Sequence, residues 1–530
     1  MSAVVTDQFR IFNAGNFVDS VLDNNNSYYV FLGLTNPTTP NPGFGRTSDW
    51  DSNTPLQPTD NFQYESQYRS TSLFGKKINS TNIRRVIRKV DWVANTPYDM
   101  YRQDYSLPNN KAPNSKTGRL YDANYYIVNS DYNVYICIDN GSFGAPNSPS
   151  AKGGNSQSEP TFTDLEPSVA GDGADGYVWK YLFTISPSDI VKFDSTEYIV
   201  VPNNWSTSTN SQIENIRESG DSEINFNQIK KIYIENEGSG YLNNTLNLDI
   251  LGDGSGGKVS VTTEGGKIKS AIVTSGGRGY TYGIVDLGPL QPQSGPTIDA
   301  KLIPIIPPSR GHGYDIYKEL GADRVLIYSR FDDSTKDFPI NTKFAQVGII
   351  KNPSTATSIG STFNENQFSS LNSIKFNASD VSTWAAKPSL GSKIEQTNSN
   401  GDVAKGYVAS YDENTAVLKF YQDRSLYFGN NVDQTDYVGV TTNSNVAAFS
   451  GSGSVKFAGG VPSDTSPAIA FTGRTMSDGD REIDLGVYFN SGFSNSEINK
   501  TTGDIIYIDN RKSVTRDIRQ KEDIKIILEF

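Results

Sequence analysis

Cysteine and histidine are almost missing from this 530-residue chain, which has one of each, Cys137 and His312. A single thiol excludes an intramolecular disulfide and a cysteine-based zinc site. A single imidazole leaves few ways to build a triad, a metal centre or a general base. Basic charge is also short: 47 Lys and Arg face 59 acidic residues, a net charge of −12. That argues against nucleic-acid binding as the main business, although a local basic patch is allowed. No run of about 18 apolar residues occurs, so no membrane-spanning helix is expected. The N-terminus, MSAVVTDQFRIF, lacks the basic-then-apolar order of a secretory signal. The expectation is a chain made and kept in a reducing cytoplasm until something releases it.

Apolar residues are sparse too. Counting Gly in place of Tyr gives about 39%, against roughly 45–50% for ordinary domains. Long polar loops, or a large surface completed by partners, would account for this. The length predicts two to four domains.

What is there is organised around Gly171 to Pro202, GDGADGYVWKYLFTISPSDIVKFDSTEYIVVP. A Gly/Asp turn leads into an aromatic strand from Tyr177 to Ile185. Ser186 and Pro187 then offer an N-cap and a first helical position for a short helix to about Phe193. Glu197 to Val201 reads as a second buried strand, closed by Pro202. Strand, short helix and strand are expected to form one core unit.

Before this unit, Thr6 to Asp23 predicts an amphipathic helix with Phe9, Phe12, Ala14, Phe17, Val18, Val21 and Leu22 inside, weakened at Gly15. Ser27 to Leu34 predicts an apolar strand, and Thr35 to Ser72 a long polar loop of the kind that orders against a partner. Asn82 to Trp92 carries Arg84, Arg85, Arg88 and Lys89. A phosphate-binding face is one reading. A strand with Ile83, Val86, Ile87 and Val90 buried and its cations solvated or paired is preferred, because no aromatic platform interleaves the cations. Tyr121 to Asp139 predicts a hairpin turning at Ser130 to Tyr132, with Cys137 a buried, inert thiol. Gly141 to Asp175 reads as a loop and Asn203 to Ser222 as a polar linker.

A repeat follows. Ile229 to Tyr241, IKKIYIENEGSGY, aligns with Ile268 to Tyr280, IKSAIVTSGGRGY, and each copy precedes a short strand. The glycines of Gly-x-Gly-Tyr allow positive φ in a tight turn on which the Tyr packs back. Two such β units predict one small domain. Gly311 to Tyr314 echoes the turn. Asp315 to Leu320 reads as a helical turn stopped by Gly321. Arg324 to Tyr328 and Phe344 to Ile350 read as core strands. A second insert from about Ser354 to Gly486 contains the hairpin Gly401 to Asp423 and a Gly/Ser-rich tail from Ser450. Gly503 to Asn510 and Asp523 to Phe530 are closing strands.

Candidate chemistry is thin. Gly252 to Val259, GDGSGGKV, almost fits a phosphate loop, but Val259 replaces the magnesium-binding hydroxyl and a strand, not a helix, follows. Whether Asp172 and Asp175 in GDGADG, 171–176, hold calcium is left open, since the terminal Glu of a helix-loop-helix site is missing. His312 lacks a G-x-S-x-G nucleophile turn, so loop packing is its default role. No carboxylate pair stands out for glycoside cleavage. No catalytic, cofactor-binding or metal-ligating residue is assigned, and no cofactor is expected.

With the strands placed, Asp175 to Phe183 (DGYVWKYLF) followed by Glu197 to Pro202 (EYIVVP) resembles the baseplate wedge protein family encoded by gene eight of T-even-type contractile-tailed phages. Phe9-Arg10, Val86 to Trp92, Tyr135 to Asp139 and Phe344 to Pro353 are similar to that family in the same order, as are Gly503 to Arg511 and Ile524 to Phe530. The resemblance implies a non-enzymatic structural subunit, homodimeric, contacting the wedge proteins encoded by genes six, seven and ten. It implies a place in the virion tail baseplate after assembly in the host bacterial cytoplasm, with no nucleic acid bound and no membrane insertion.

The expected fold is mainly β, a discontinuous multi-layer β-sandwich core with few short helices and two inserted small β domains. Its parts are a core domain with the N-terminal helix (1–205), the Gly-x-Gly-Tyr insert (226–308), further core strands (309–353), the second insert (354–486) and C-terminal core strands (487–530). The alternative function is a tail-associated host-glycan adhesin or polysaccharide depolymerase. It is motivated by the 11% aromatic content and by β inserts able to present Tyr and Trp to sugars.

Overall fold

The computed structural model describes residues 5–34, 57, 58, 60, 65, 68, 69, 71–105, 115–141, 153–219, 228–332, 343–358, 360–422, 447–515 and 520–530. Most of the Thr35 to Ser72 loop, residues 142–152 of the loop before the aromatic strand, and the end of the 203–222 segment lie outside them. Strand makes up 42% and helix 13%, with several antiparallel sheets, so the protein is mainly β with few helices. The chain forms two compact units, each discontinuous in sequence. One holds residues 1–18, 84–326 and 526–530, the other 19–83 and 327–525.

The N-terminal helix, Asp7–Leu22, runs unbroken through Gly15. Its buried face is Ile11, Ala14, Val18 and Val21, a spacing of three, four and three. Phe9, Phe12 and Leu22, expected inside, are exposed. Nor is Gly15 a weak point. A Cβ there would stand 2.9 Å from Nη2 of Arg85, so the missing side chain makes room for a guanidinium.

In the first unit the aromatic strand Tyr177–Thr184 lies between Asn133–Asn140 and Ser168–Val169, and Tyr126–Val128 completes a four-stranded sheet. Both faces of the aromatic strand are buried, with only Val178 partly open and Thr184 exposed. That explains a continuous apolar run where a half-buried strand would alternate. Ser186 caps the helix Pro187–Phe193, its Oγ accepting from Asp189 N–H at 3.2 Å. The strand Tyr198–Val201 then pairs with Ile83–Arg88, not with the aromatic strand. The expected single core unit is thus split between two sheets, with the short helix carrying the chain across.

Asn203 to Ser222 is not a linker as far as Ser219. Trp205 is fully buried and donates to the Gly313 carbonyl at 2.8 Å, and Ser211–Ser219 is helical. A polar composition hid one Trp anchor and one apolar contact, Ile216.

The repeat folds into six strands: β1 (Ile232–Asn236), β2 (Thr245–Gly252), β3 (Ser255–Glu264), β4 (Lys267–Arg278), β5 (Gly283–Val285) and β6 (Lys301–Pro304). β1 pairs with β6, β4 with β3, and β2 with both β3 and β5. β5 packs beside β6 and β1 beside β4, closing a ring around Ile232, Val259, Val261, Ile268 and Leu290. A pseudo-twofold relates the halves, β1 to β4, β2 to β5 and β3 to β6. It is explicit in the hydrogen bonds, because Ile229 N–H donates to Gly276 O and Ile268 N–H donates to Glu237 O, both at 3.0 Å. These residues correspond under the repeat. The turns match as well. A Cβ on Gly238 would meet Tyr241 Cε2 at 2.7 Å, and one on Gly277 would meet Tyr280 Cε2 at 2.6 Å.

In the second unit, a five-stranded sheet has the order Gln367–Ser369, Ser72–Lys77, Tyr28–Leu34, Lys343–Lys351, Asp504–Thr515. A six-stranded sheet holds Lys393–Thr397, Val403–Asp412, Val417–Tyr421 and Asn372–Lys375 between two short edges, over a core that includes Ile374, Phe376, Leu418 and Phe420. The Gly/Ser-rich stretch after Ser450 is more than a tail, since Gly473–Asp478 and Arg481–Phe489 form a hairpin.

Candidate interaction surfaces

The aromatic block is structural at every ring. Trp179 has no exposed surface; it stacks on Tyr177 with centroids 5.4 Å apart and meets Tyr98 edge-on at 5.8 Å. Tyr177 accepts from Tyr98 N–H at 2.9 Å and donates to Gly154 O at 2.6 Å, and burial holds its phenol far above the usual range. Lys180, on the same strand, is buried and donates to Leu165 O at 2.7 Å and Ser219 Oγ at 3.2 Å. Burial, then repulsion from Lys230, pulls its ammonium down to about 8. None of these rings is presented to a sugar.

The turn before it does not gather carboxylates. Gly171, Gly173 and Gly176 take positive φ. Asp175 is buried, with one oxygen accepting from Gln157 N–H at 2.7 Å and the other from Tyr177 N–H at 3.0 Å. Asp172 accepts from Ala174 N–H at 3.0 Å. The carboxylates close the turn, and no group of three metal-ligating side chains occurs among the described residues.

The basic stretch is a paired face. Ile83, Val86 and Ile87 are buried, and Val90 is partly so. Arg84 pairs with Asp189 at 2.9 Å, Arg85 lies over the Tyr317 ring at 3.9 Å, and Lys89 reaches Asp194 at 3.3 Å. Arg88 bonds to backbone carbonyls.

His312 is buried beside Glu319, 2.5 Å from Nδ1 to Oε1, and the other Glu319 oxygen accepts from Gly313 N–H at 2.7 Å. Tyr101 meets the imidazole edge-on at 4.8 Å. The pair ties the Gly311 to Tyr314 turn to the helical turn Ile316–Glu319, as loop packing requires. Cys137 is buried with its thiol pushed well above the ordinary range, chiefly by burial, which suppresses the thiolate. GDGSGGKV forms the β2 to β3 turn, and Lys258 pairs with Asp249 across it at 2.6 Å.

Large apolar side chains reach solvent at many of the described positions, and two groupings among them lie on elements already introduced. On the outer side of the six-stranded ring, Leu251 (54% exposed) stands directly across from Ile284 (65% exposed), next to exposed Tyr282. On the N-terminal helix, Phe9 and Phe12 are exposed at a spacing of three. Sequence reasoning took these two rings for core because aromatics usually are. A clue was available, since the stripe Ile11, Ala14, Val18, Val21 already fills one helical face without them.

Residues 3–236 match the family model described as Bacteriophage T4, Gp8, the baseplate wedge family. The matched segment is less than half of the 530 residues. It contains the aromatic strand, its partner strands and the approach to the first Gly-rich turn, and it ends with the last residue of β1. No curated protein matches the chain.

Proposed function

We propose that a chain whose residues 3–236 carry the baseplate wedge pattern is a non-enzymatic structural subunit of a contractile phage tail. It acts in virion assembly and holds neighbouring wedge proteins. The family match over residues 3–236 is the observation that carries this reading. The enclosed aromatic block and the paired basic face agree with it, because both spend their chemistry on rigidity. Exposed apolar residues are then contact surface, as expected for a protein that works by fitting others.

In this reading the subunit is a homodimer, its partners are the wedge proteins encoded by genes six, seven and ten, and it assembles in the host cytoplasm. Residues 226–308 and 354–486 are domains inserted into the core that add contacts. The test is sedimentation of the purified chain alone and with the candidate wedge proteins. A dimer at micromolar concentration and a stable heteromeric species are expected. A strict monomer sinks the dimer, and sedimentation of every component alone sinks the wedge role. A chain that clears host polysaccharide by itself would point to a depolymerase instead.

A further inference from the structure

The chain has two Asn-Gly steps, Asn140–Gly141 and Asn400–Gly401. At such a step the main-chain nitrogen of Gly can attack the Asn side-chain amide, because glycine has no Cβ to shield that nitrogen or to restrict the backbone on the way. The two steps share a sequence and differ in their surroundings.

Asn140 ends the strand Asn133–Asn140 opposite Tyr177 and is buried. Its Nδ2 donates to Tyr98 O at 3.2 Å, and Gly141 N–H donates to Asp139 Oδ1 at 3.3 Å. A Cβ on Gly141 would stand 2.1 Å from Asp175 O. In such close packing neither the amide nor the nitrogen has room to turn toward the other.

Asn400 lies in the turn that joins Lys393–Thr397 to Val403–Asp412, and it is exposed. Asn398 holds the turn. Its Oδ1 accepts from Asn400 N–H and Asp402 N–H, both at 3.0 Å, and its carbonyl accepts from Gly401 N–H at 3.0 Å. These bonds engage the main chain alone, and the Asn400 side-chain amide has no hydrogen-bond partner among the described residues. A Cβ on Gly401, at φ +85°, would meet nothing within 4 Å. Only the turn bond from Gly401 N–H has to open for attack, and exposed turns open locally at little cost.

We propose that Asn400 is a site of spontaneous deamidation in the folded chain and that Asn140 is not. The Gly401 nitrogen bonds to Cγ of Asn400, its proton passes through solvent to the departing Nδ2, and ammonia leaves behind a cyclic succinimide. Water then opens the ring at either carbonyl, giving aspartate or isoaspartate at position 400. Both products add one negative charge beside Asp402. Isoaspartate also lengthens the main chain by a methylene inside the turn, where Asn398 N–H donates to Asp402 O at 2.9 Å, so the end of the hairpin at Thr397 and Val403 loosens. None of this chemistry depends on the chain being an assembly subunit.

The test incubates the full chain at mildly alkaline pH, folded in buffer and unfolded in urea, and follows both sites by peptide mass mapping. In the folded chain Asn400 should convert at least tenfold faster than Asn140, and in urea the two rates should approach each other. Labelling by an isoaspartyl methyltransferase should mark the peptide that contains position 400, and Asn400→Gln should remove the mark. The mass maps need only the unmodified chain, so the test holds even where the variant does not fold. Comparable rates at the two sites in the folded chain, or conversion of Asn400 in urea alone, would overturn the proposal. So would a methyl mark that persists in Asn400→Gln.

Discussion

Trp179 and Lys180 are neighbours on one strand and fail differently when changed. Trp179 is wholly enclosed between Tyr177 and Tyr98, so Trp179→Ala should cost about 3–5 kcal/mol in a denaturant titration. A loss below about 1 kcal/mol would mean the ring is available to a partner instead. Lys180 gives a pH signature. Burial holds its folded pKa at about 8, below its ordinary value of 10.5. Between those pH values the unfolded chain binds the extra proton, so this group's contribution to stability rises with pH from about 8 to 10.5. Below pH 8 both states are protonated and the full cost of burying the ammonium applies. Lys180→Met should remove that rise, so the stability difference between the two proteins should change by a few kcal/mol, at most ~3, across the window. A difference flat with pH would show that Lys180 reaches water when folded. The strand itself was legible, as was its Ser186 cap, because β-forming aromatics and capping chemistry are local signals. The burial of Lys180 was not, since it depends on Leu165 and Ser219, and nothing local announces either.

At the scale of elements, the Gly-x-Gly-Tyr turns show why a short repeat could be read without coordinates while the sheet partners could not. Positive φ and a Tyr folded back on its own turn are properties of four adjacent residues. The strand pairings are not. That Tyr198–Val201 and the aromatic strand, expected as one core unit, pair in different sheets was not legible, because both segments are equally apolar and nothing local distinguishes their partners. The N-terminal helix misled in the same way, with aromatic identity outweighing spacing. Two glycines of the ring separate conformational strain from space. Gly265 and Gly277 have nearly the same φ, +60° and +61°, yet a Cβ on Gly265 meets nothing within 4 Å. One on Gly277 stands 2.6 Å from both Gly257 N and Ser255 O. Gly265→Ala should therefore cost about 1–2 kcal/mol from φ alone. Gly277→Ala should add a further ~1–3 kcal/mol of overpacking. Equal losses in thermal unfolding would mean that the turn shifts freely and the ring is not close-packed there.

At the scale of the molecule, what matters is where the chain enters and leaves each segment proposed as an insert. In the six-stranded ring Ile232 pairs with Pro304, and Ile305 N–H donates to Lys231 O at 2.9 Å, so entry and exit are adjacent. In the second unit Ala356 N–H donates to Glu497 O at 3.0 Å and Asn499 N–H to Ser354 O at 2.8 Å, which brings residues 354 and 499 together in the same way. A segment with neighbouring ends closes a short loop when removed, and its loss changes the chain entropy of the remainder little. Replacing residues 229–305 by two glycines should therefore leave a protein that still unfolds in one cooperative transition. Its melting temperature should fall, because the deletion breaks the pair of Lys230 with the exposed Glu166 and that of Lys231 with Asp139, whose side chains are both largely buried. A shortened chain that is insoluble or melts without cooperativity would show that the ring is part of the core. If it folds, its behaviour with wedge partners separates the two roles argued for the segment. Unchanged co-sedimentation would assign assembly to the matched residues up to 228 and the core strands, whereas failure to bind one partner would place that partner's seat on the deleted ring, which carries the exposed Leu251, Tyr282 and Ile284.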